Sequence, residues 1–322
     1  MLCMILVSCT GQKTGKENDN NDKIAIEVGE IKFPPQDVLQ LKSYYLSSSV
    51  HVDSIDYLIG YNYRLHSLDC MNLKSKSVTQ IVLPGDGPDA IVRLSGIYAQ
   101  SLDSVWISDE SERAFLIDSV GTIKRMIDLK KYLEDQEQLL INTNYAMFTS
   151  HLFYNASRHS LMFLVKHTPS NTFIVKEAFI DEVGKMATYQ LSSSKVVPDM
   201  SKGYAYINFP NVNFVGENIV YNYPVESSIY MLDIRTNERK YILADSHYTS
   251  NIIEKCTTSG DYATLEKHWL ENSHFYDIMY LPKYKIYARL HADKVDFDEK
   301  KGMEKLINER DLYLMLFDEN ME

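Results

Sequence analysis

The sequence predicts an all-β protein built as a β-propeller of four-stranded blades. The chain of 322 residues contains 23 Tyr and 2 Trp, and Tyr is enriched in β-strands. From about residue 40 onward, short apolar strands alternate with turn residues, which is typical of sandwiches, barrels and propellers. A unit of four strands recurs at intervals of roughly 50 to 60 residues, and a single such sheet needs neighbours to bury both of its faces. The recurrence therefore favours a propeller.

The unit at residues 94–129 shows the pattern most clearly. Its sequence, LSGIYAQSLDSVWISDESERAFLIDSVGTIKRMIDL, divides into four strand segments at polar turns. The predicted strands are Leu94–Ala99, Val105–Ser108, Ala114–Asp118 and Thr122–Leu129. Second-strand segments of the same kind occur in four other places, so five units are recognisable, and the last of them is incomplete.

An Asp ends the third strand of each unit. These residues are Asp69, Asp118, Asp181, Asp233 and Asp318. An Asp side chain at this position accepts a hydrogen bond from the backbone N–H two residues later and closes the turn into the next strand. We therefore expect the five carboxylates to shape turns rather than to bind metal ions.

Three segments with helical spacing interrupt the strand pattern. They cover residues 130–140, 261–272 and 299–310. Helices inserted in a propeller lie at its rim or cover one end of its channel. The segments therefore predict short helical insertions that decorate loops or act as lids.

The segment Gly85-Asp86-Gly87-Pro88 follows a buried strand, where Gly-rich loops often bind phosphate. A phosphate-binding loop needs further glycines and a helix that begins at the anion, whereas residues 90–99 have the pattern of a strand. We expect Gly85 and Gly87 to adopt unusual backbone angles and Pro88 to stiffen the exit. The loop is therefore interpreted as the connection from one blade to the next.

The N-terminus carries the most specific short motif. Met1–Val7 is apolar but too short to span a bilayer, and it leads into Leu6-Val7-Ser8-Cys9, which resembles a bacterial lipobox. Such a motif implies a lipoprotein signal peptide at residues 1–8 and lipid attachment at Cys9. An ordinary signal peptide and a buried apolar strand are the alternatives. Residues 9–23 are polar and low in complexity, which predicts a flexible tether, and residues 24–322 form the predicted propeller domain.

This interpretation places the protein in the cell envelope, anchored by lipid at the outer membrane and outside the cytoplasm. A disulfide between Cys70 and Cys256 is compatible with that compartment, but neither lies in a Cys-x-x-Cys context, and we expect two unpaired thiols. The net charge of −11, with no dense Lys/Arg cluster, argues against nucleic acid as a partner. The membrane and a protein or glycan ligand are the predicted partners.

Motifs for well-understood catalysis are absent from the sequence. It contains no Gly-x-Ser-x-Gly, no His-Glu-x-x-His and no Gly-Lys-Ser/Thr. His151, His159 and His167 recur every eight residues, which is too far apart for a shared metal unless the strands fold back. The acidic residues within 296–299 lack the Asn and Gly of a calcium loop. No catalytic residue, metal or cofactor is predicted.

Propellers usually bind ligands at the central channel, where the innermost strands and their connecting loops converge. Polar and aromatic side chains of those strands are therefore the candidate ligand-binding residues. They are Arg93 and Tyr98 in the second unit, Tyr145 and His151 in the third, Asn213 in the fourth, and His274 and Tyr276 in the fifth.

The lipobox, the polar tether, the stretch LPGDGPDAIVRLSGIYAQSLDSVWISD and the hairpin pattern together resemble the six-bladed β-propeller lipoproteins of Bacteroidetes. More narrowly, they are similar to one family of that group whose function is unknown. The resemblance implies a six-bladed propeller. The last blade or blades would be truncated in this chain, because it stops at LMLFDENME, after a third strand.

Three hypotheses about function remain open at this point. A lipid-anchored propeller can act as a binding or scaffold module for a protein or glycan partner, which the loops at the rim and the many Tyr favour. A metal-dependent hydrolase or lyase with its site at the top of the channel is the alternative. The third hypothesis is an inactive truncated propeller, since the fold alone does not determine function.

Overall fold

Antiparallel four-stranded sheets follow one another along the chain, and each is formed by strands that are consecutive in sequence. The structure is a computed structural model, and it describes Gly29, residues 31–33, Tyr44 and residues 46–140, 152–195, 209–256 and 262–322. These residues form five sheets, which we call blades one to five, and two short helices. The prediction of an all-β propeller of four-stranded blades with few helices is confirmed.

The five blades contain three to five strands each. Blade one comprises β1 (Ser47–Val52), β2 (Ile55–Asn62), β3 (Ser67–Asn72) and β4 (Val78–Val82). Blade two comprises β5 (Leu94–Ser101), β6 (Ser104–Asp109), β7 (Arg113–Ile117) and β8 (Ile123–Asp128). Blade three comprises β10 (Leu152–Asn155), β11 (Ser160–His167), β12 (Thr172–Phe179) and β13 (Met186–Gln190), and β9 (Glu137–Leu139) also pairs with β11. Blade four comprises β14 (Asn211–Val215), β15 (Asn218–Asn222), β16 (Ile229–Asp233) and β17 (Arg239–Ile242). Blade five comprises β18 (His274–Leu281), β19 (Ile286–Ala292) and β20 (Leu312–Phe317). The helices are α1 (Tyr262–Leu270) and α2 (Met303–Asn308).

Apolar side chains between successive blades form the core. One cluster joins blades one and two through residues such as Ile59, Ile97 and Phe115, and others join the following blades in turn. The first strands of neighbouring blades lie against one another, as β1 does against β5 and β14 against β18. The first strand of each blade is therefore the innermost one, and β18 has this position in blade five.

The number of blades differs from the one that the resemblance implied. The six-bladed type was expected, whereas the described residues form five blades. The count of five units, with the last incomplete, came directly from the strand pattern and agrees with the structure. In blade five β20 occupies the position of the third strand, as the sequence predicted for this segment.

The turns after the third strands confirm three of the five predicted Asp residues. The Oδ1 atoms of Asp118, Asp233 and Asp318 each accept a hydrogen bond from the backbone N–H two residues later, at 3.1, 2.8 and 2.8 Å. The prediction is wrong for Asp69, which is buried inside β3 and accepts from Asn62 Nδ2 at 3.0 Å. It is also wrong for Asp181, which pairs with Arg125 across the blade interface at 3.1 Å.

Two of the three predicted helical insertions are helices, namely α1 and α2. The prediction for residues 130–140 is wrong, because a short 3-10 turn at Leu129–Tyr132 is followed by β9. The residues of this segment form a strand and an ion pair instead of a helix. The Glu137 carboxylate lies 2.6 Å from the buried Lys176 ammonium of β12, so strand pairing and an ion pair fix the segment together.

The loop at residues 85–88 connects β4 to β5 and thus leads from blade one to blade two, as predicted. Gly87 has a φ of +92°, which favours glycine, whereas Gly85 does not have a positive φ, so only one of the two expected unusual angles occurs. Arg113 Nη2 donates to the Ala90 carbonyl at 2.8 Å. The loop is therefore held as a structural connection.

The end of the propeller at which a residue lies follows from strand direction. Antiparallel strands reverse at each turn, so the connections between blades and the turns between second and third strands lie at the same end. Helix α1 precedes β18 in a connection between blades, and α2 lies between β19 and β20. Both helices therefore lie at the end where β18 begins.

Cys70 and Cys256 are both buried and form no disulfide with each other, as the sequence led us to expect. Neither helix in the described part of the chain is long and apolar enough to cross a membrane. The predicted signal peptide, Cys9 and the tether lie outside the described residues.

Candidate functional site

The inner strand of blade five contains a β-bulge. In the pairing of β18 with β19, Phe275 lies opposite His291 and Ile278 lies opposite Arg289. Tyr276 and Asp277 are therefore two residues that share a single partner position. A bulge changes the direction of side chains locally and occurs often next to functional sites.

Three Asn side chains of blade four hold the backbone on both sides of this bulge. The Nδ2 atoms of Asn211 and Asn222 donate to the Phe275 carbonyl at 3.2 and 3.4 Å. The Nδ2 atom of Asn213 donates to the Ile278 carbonyl at 3.1 Å. The two carbonyls that flank Tyr276 and Asp277 are thus fixed by the neighbouring blade, which makes the bulge a rigid feature.

His274, the first residue of β18, has no exposed surface. Neither of its ring nitrogens has a hydrogen-bond partner in the described part of the protein. Burial, with a contribution from the nearby Arg310 charge, lowers the His274 pKa to about 3, so the imidazole is neutral. A buried polar atom without a partner costs about 1–3 kcal/mol, which makes this side chain a candidate for binding a ligand or water.

Two aromatic rings lie against His274. The centroid of the Tyr276 ring is 4.7 Å from that of His274, and the centroid of the Trp269 ring is 6.2 Å away. The indole Nε1 of Trp269 is buried and also has no hydrogen-bond partner in this part of the structure. Three rings therefore meet where α1 leads into β18, and two of them, Trp269 and His274, have buried nitrogen atoms without a partner among the described residues.

Arg310 holds Trp269 from the side of α2. Its guanidinium lies 5.0 Å from the centroid of the Trp269 ring, and its Nε and Nη2 atoms each donate at 2.7 Å to the carbonyls of Asp293 and Asn272. The guanidinium therefore bridges the segments around the two helices and keeps the indole in place.

Asp277 follows Tyr276 in the bulge. Its side chain is partly accessible, and in the described residues it has no ion pair and no hydrogen bond to another side chain. Burial raises the Asp277 pKa to about 6. We call Trp269, His274 and Tyr276 the blade-five cluster.

The structure brings together only two of the residues that the sequence suggested. His274 and Tyr276 are in ring contact, and Asn213 supports their strand through the Ile278 carbonyl. Arg93 is 53% exposed and lies 3.5 Å from the Glu110 carboxylate. Tyr98 packs against Phe153 between blades two and three, and Tyr145 and His151 lie outside the described residues.

Trp269 and Asp277 were not among the predicted residues. The stretch HFYDIMY does contain a signal for the bulge, because Tyr276 and Asp277 interrupt the alternation of a strand. Trp269 lies at the end of a predicted helix, and only the packing of α1 on β18 places it beside His274.

No group of three or more His, Cys, Asp or Glu side chains that could hold a metal ion occurs among the residues described. The pair most similar to a nucleophile and base is Ser246 with His291, whose Oγ and Nε2 atoms are 2.8 Å apart. His291 is buried between the rings of Phe275 and Tyr313, and burial lowers its pKa to about 4. A base with this pKa in the core is a packing residue rather than a catalytic one.

The fold and the site define a β-propeller with a cluster of unused polar and aromatic groups on one inner strand. The chain belongs to the family described as a domain of unknown function, DUF4221, whose pattern matches residues 17–322. None of the curated proteins matches the chain.

Solved structures support the fold. The crystal structure of a DUF4221 family member from Bacteroides vulgatus is 14% identical, covers 90% of this chain and 82% of its own, and has a TM-score of 0.69. Hydrazine synthase of Kuenenia stuttgartiensis (12% identity, 82% of this chain and 69% of its own, TM-score 0.42) is a weaker match. Oligogalacturonate lyase from Vibrio parahaemolyticus is also a weaker match, with 9% identity, coverage of 86% of this chain and 66% of its own, and a TM-score of 0.40. The last two similarities are too low to carry an argument about this chain.

Proposed function

We propose that this protein is a binding or scaffold module for a protein or glycan partner, and that the partner contacts the blade-five cluster. The observation that carries this proposal is His274, which is fully buried and has no hydrogen-bond partner for either ring nitrogen among the residues that the structure describes. The ring of the partly accessible Tyr276 lies against it on the same strand. Ligand sites commonly combine aromatic surface with a few polar groups held in fixed positions.

The rigid surroundings of the cluster favour binding, because a preformed site loses little conformational freedom when the ligand arrives. The metal-dependent hydrolase or lyase is supported less well, since it requires several metal ligands to meet, and the described residues contain no such group. Binding needs only the contacts that the cluster already offers.

Lipid anchoring is the second part of the proposal. Leu6-Val7-Ser8-Cys9 and the polar residues after it support attachment of lipid at Cys9, followed by a tether in the cell envelope, outside the cytoplasm and at the outer membrane. The test is metabolic labelling with a radioactive or clickable palmitate in a bacterial host. We expect label on the wild-type chain and none on Cys9→Ala, and label on both would contradict attachment at Cys9.

The binding proposal is tested with glycan and peptide arrays probed by the full-length Cys9→Ser chain. We expect saturable binding to one class of array. Tyr276→Ala should abolish that binding, whereas Arg235→Ala, which removes an exposed side chain from the turn between β16 and β17, should retain it. A folded wild-type protein that binds neither array saturably would refute the proposal.

A further inference from the structure

We propose that the outer edge of β20 binds an extended segment of a partner protein, which pairs with it as a fourth strand of blade five. This inference goes beyond the blade-five cluster, because it assigns a second contact surface to the same blade. Three observations carry it: the backbone groups that β20 directs outward, the apolar composition of this strand, and the acidic residues at its two ends.

β20 is the outermost strand of blade five among the described residues. Blades one to four each have a fourth strand of four to six residues beside the third one, whereas the sheet of blade five has the order β18-β19-β20. The pairing of β20 with β19 is regular and contains no bulge. In the described structure, β20 therefore has one open side, which is as long as the fourth strands of the other blades.

The register identifies the backbone groups on this open side. The Asp293 N–H donates to the Asp311 carbonyl at 2.8 Å, just beyond the pair of Ala292 with Leu312. In an antiparallel ladder this geometry belongs to a pair that exchanges no hydrogen bonds of its own, and such pairs alternate with bonded ones. The residues of β20 whose N–H and C=O groups point away from β19 are therefore Leu312, Leu314 and Leu316. No strand or backbone hydrogen bond meets these groups in the part of the chain that the structure describes.

The composition of β20 leaves this edge unprotected. Exposed edges usually carry Lys, Pro or a bulge, which discourage pairing with another chain. The sequence of β20 is Leu-Tyr-Leu-Met-Leu-Phe, and it has none of these features. The outer strands β8 and β17, by contrast, each contain two basic residues. The edge of β20 is therefore suited to pairing with a further strand.

The two faces of β20 determine which side chains fit on a partner strand. On one face, Tyr313 stacks on His291, and Tyr248 stacks on Tyr313 with ring centroids 5.0 Å apart. This distance is close to the spacing of neighbouring strands, so the Tyr248 ring takes up room beside the edge and requires small partner side chains there. On the other face, Leu314 and Leu316 lie beside apolar residues of β19, which favours apolar partner side chains.

Acidic residues lie at both ends of β20. Asp311 precedes the strand and Glu319 follows it, and both are exposed. Of the nearby basic residues, Lys285 lies 3.9 Å from the Glu319 carboxylate, and Arg310 is buried and bound to carbonyls. A segment with Lys or Arg at its ends complements these charges, whereas a second copy of this chain would bring two net charges of −11 together.

The probe is therefore the capped peptide Lys-Val-Thr-Val-Thr-Val-Thr-Lys. Its Val side chains match the leucine face of β20, and its Thr side chains match the face that carries Tyr313. In antiparallel pairing, the N–H groups of the Val residues point towards β20 and those of the Thr residues point away from it. N-methylation of the Val residues thus removes the donors at the edge. N-methylation of the Thr residues is the matched control.

The experiment is fluorescence anisotropy of the labelled peptides with the full-length Cys9→Ser chain, repeated in two variants. Leu314→Pro removes an outward N–H that makes no bond to β19, and Leu314→Ala is the control that shortens the same side chain and retains the N–H. We expect N-methylation at Val and Leu314→Pro each to weaken binding about tenfold. N-methylation at Thr and Leu314→Ala should change the affinity less than about threefold.

Hydrogen exchange of the backbone amides in the same chain locates the contact. The peptide should slow exchange at Leu312, Leu314 and Leu316, whereas Tyr313 and Met315 should be unchanged, since their amides already bond to β19. Without the peptide, the outward amides should exchange faster than the inward ones. Equal protection of both sets in the free monomer would mean that a segment of the same chain covers the edge, and the inference would be wrong.

Three further results would overturn the inference. Equal weakening by the two methylated peptides would exclude backbone pairing, and this comparison needs no variant. A dimer in light scattering that Leu314→Pro dissociates would assign the edge to a second copy of the chain. If the unmodified peptide does not bind, the edge does not accept such a segment. The array experiment with Tyr276→Ala decides the proposed function separately, because β19 lies between β18 and this edge.

Discussion

At the scale of single residues, Asp277 is a side chain that weakens the fold it belongs to. Burial raises its pKa from 3.8 to about 6, so the folded protein holds this proton more tightly than the unfolded chain. The free energy of unfolding therefore falls as the pH rises from about 4 to 6. Above pH 6 the full cost of burying the ionised carboxylate is present. A destabilising group at a candidate site is expected where function requires it.

Replacement of Asp277 by Asn tests this cost. We expect Asp277→Asn to raise the free energy of unfolding by about 2 kcal/mol at pH 7.5, since one pKa unit corresponds to about 1.4 kcal/mol and partial exposure reduces the effect. The gain should disappear near pH 3.5, where both states are protonated. Denaturation in urea at the two pH values measures it, with Asp296→Asn as the control. A variant that is less stable than wild type at pH 7.5 would contradict the assignment.

His274 has the opposite dependence on pH. Its pKa lies at about 3 in the folded protein against an ordinary value of 6.5, so below pH 6.5 the unfolded chain takes up a proton that the folded one does not. Above pH 6.5 the burial of His274 does not reduce the free energy of unfolding, but this free energy falls as the pH decreases below 6.5. Between pH 6.5 and 5, we expect the free energy of unfolding of His274→Phe to fall by about 2 kcal/mol less than that of the wild type.

Thermal and urea unfolding at several pH values measure this difference. His247→Phe is the matched control, because it removes an exposed imidazole. An unchanged pH dependence in His274→Phe would mean that the imidazole is solvated in the folded protein. Asp277 titrates in part of the same range, but it is present in both proteins and cancels in the comparison.

At the scale of elements, the bulge of β18 depends on blade four. Its flanking carbonyls accept hydrogen bonds from Asn211, Asn222 and Asn213, which lie more than 50 residues away in sequence. Asn213 is thus a positioning residue, since it supports Tyr276 and Asp277 through the backbone. The blade interface and the site share the same hydrogen bonds.

The variant Asn213→Asp tests this support, because it retains the shape and removes the donor to the Ile278 carbonyl. We expect a loss of about 1–3 kcal/mol in stability, together with faster hydrogen exchange at the amides of Tyr276 and Asp277. Asn308→Asp, at an exposed position of α2, is the control with the same chemical change. Unchanged exchange at the two amides would show that the bulge is stable by itself.

At the scale of the whole molecule, a buried arginine joins the last two blades. Arg289 of β19 donates to the carbonyls of Ser227 and Ala244 in and beside blade four, at 2.6 and 3.0 Å, and lies 4.9 Å from the Phe275 ring centroid. Burial lowers the Arg289 pKa to about 9. Its planar guanidinium reaches both carbonyls at once, which a lysine does not.

We expect Arg289→Met to destabilise the protein by about 2–4 kcal/mol, since two buried carbonyls lose their donors. Limited proteolysis should then cut within residues 243–273, the connection between blades four and five, earlier than in wild type. Arg235→Met serves as the control, because Arg235 is 66% exposed. Equal stability and equal cleavage in the two variants would contradict a role of Arg289 in joining the blades.

Local chemistry alone determined most of the fold. The alternation of apolar residues and the turn residues between them predicted β5 to β8 to within two residues at either end, because strand period and turn preference act within a few positions. For the same reason the turns at Asp118, Asp233 and Asp318 were predicted correctly. Asp69 has the same place in the pattern, but tertiary contacts with Asn62 and others hold it in the core.

Only the tertiary structure decided the site and the number of blades. His274 and Tyr276 were candidates from sequence, but the contact of His274 with Trp269 requires α1 to pack on β18, and the bulge requires side chains of blade four. The hydrogen bonds from blade four join segments that are more than 50 residues apart and leave no local pattern in the sequence. The sequence by itself determined the strands, their order and the kind of fold, whereas packing between blades determined which polar groups were left without partners.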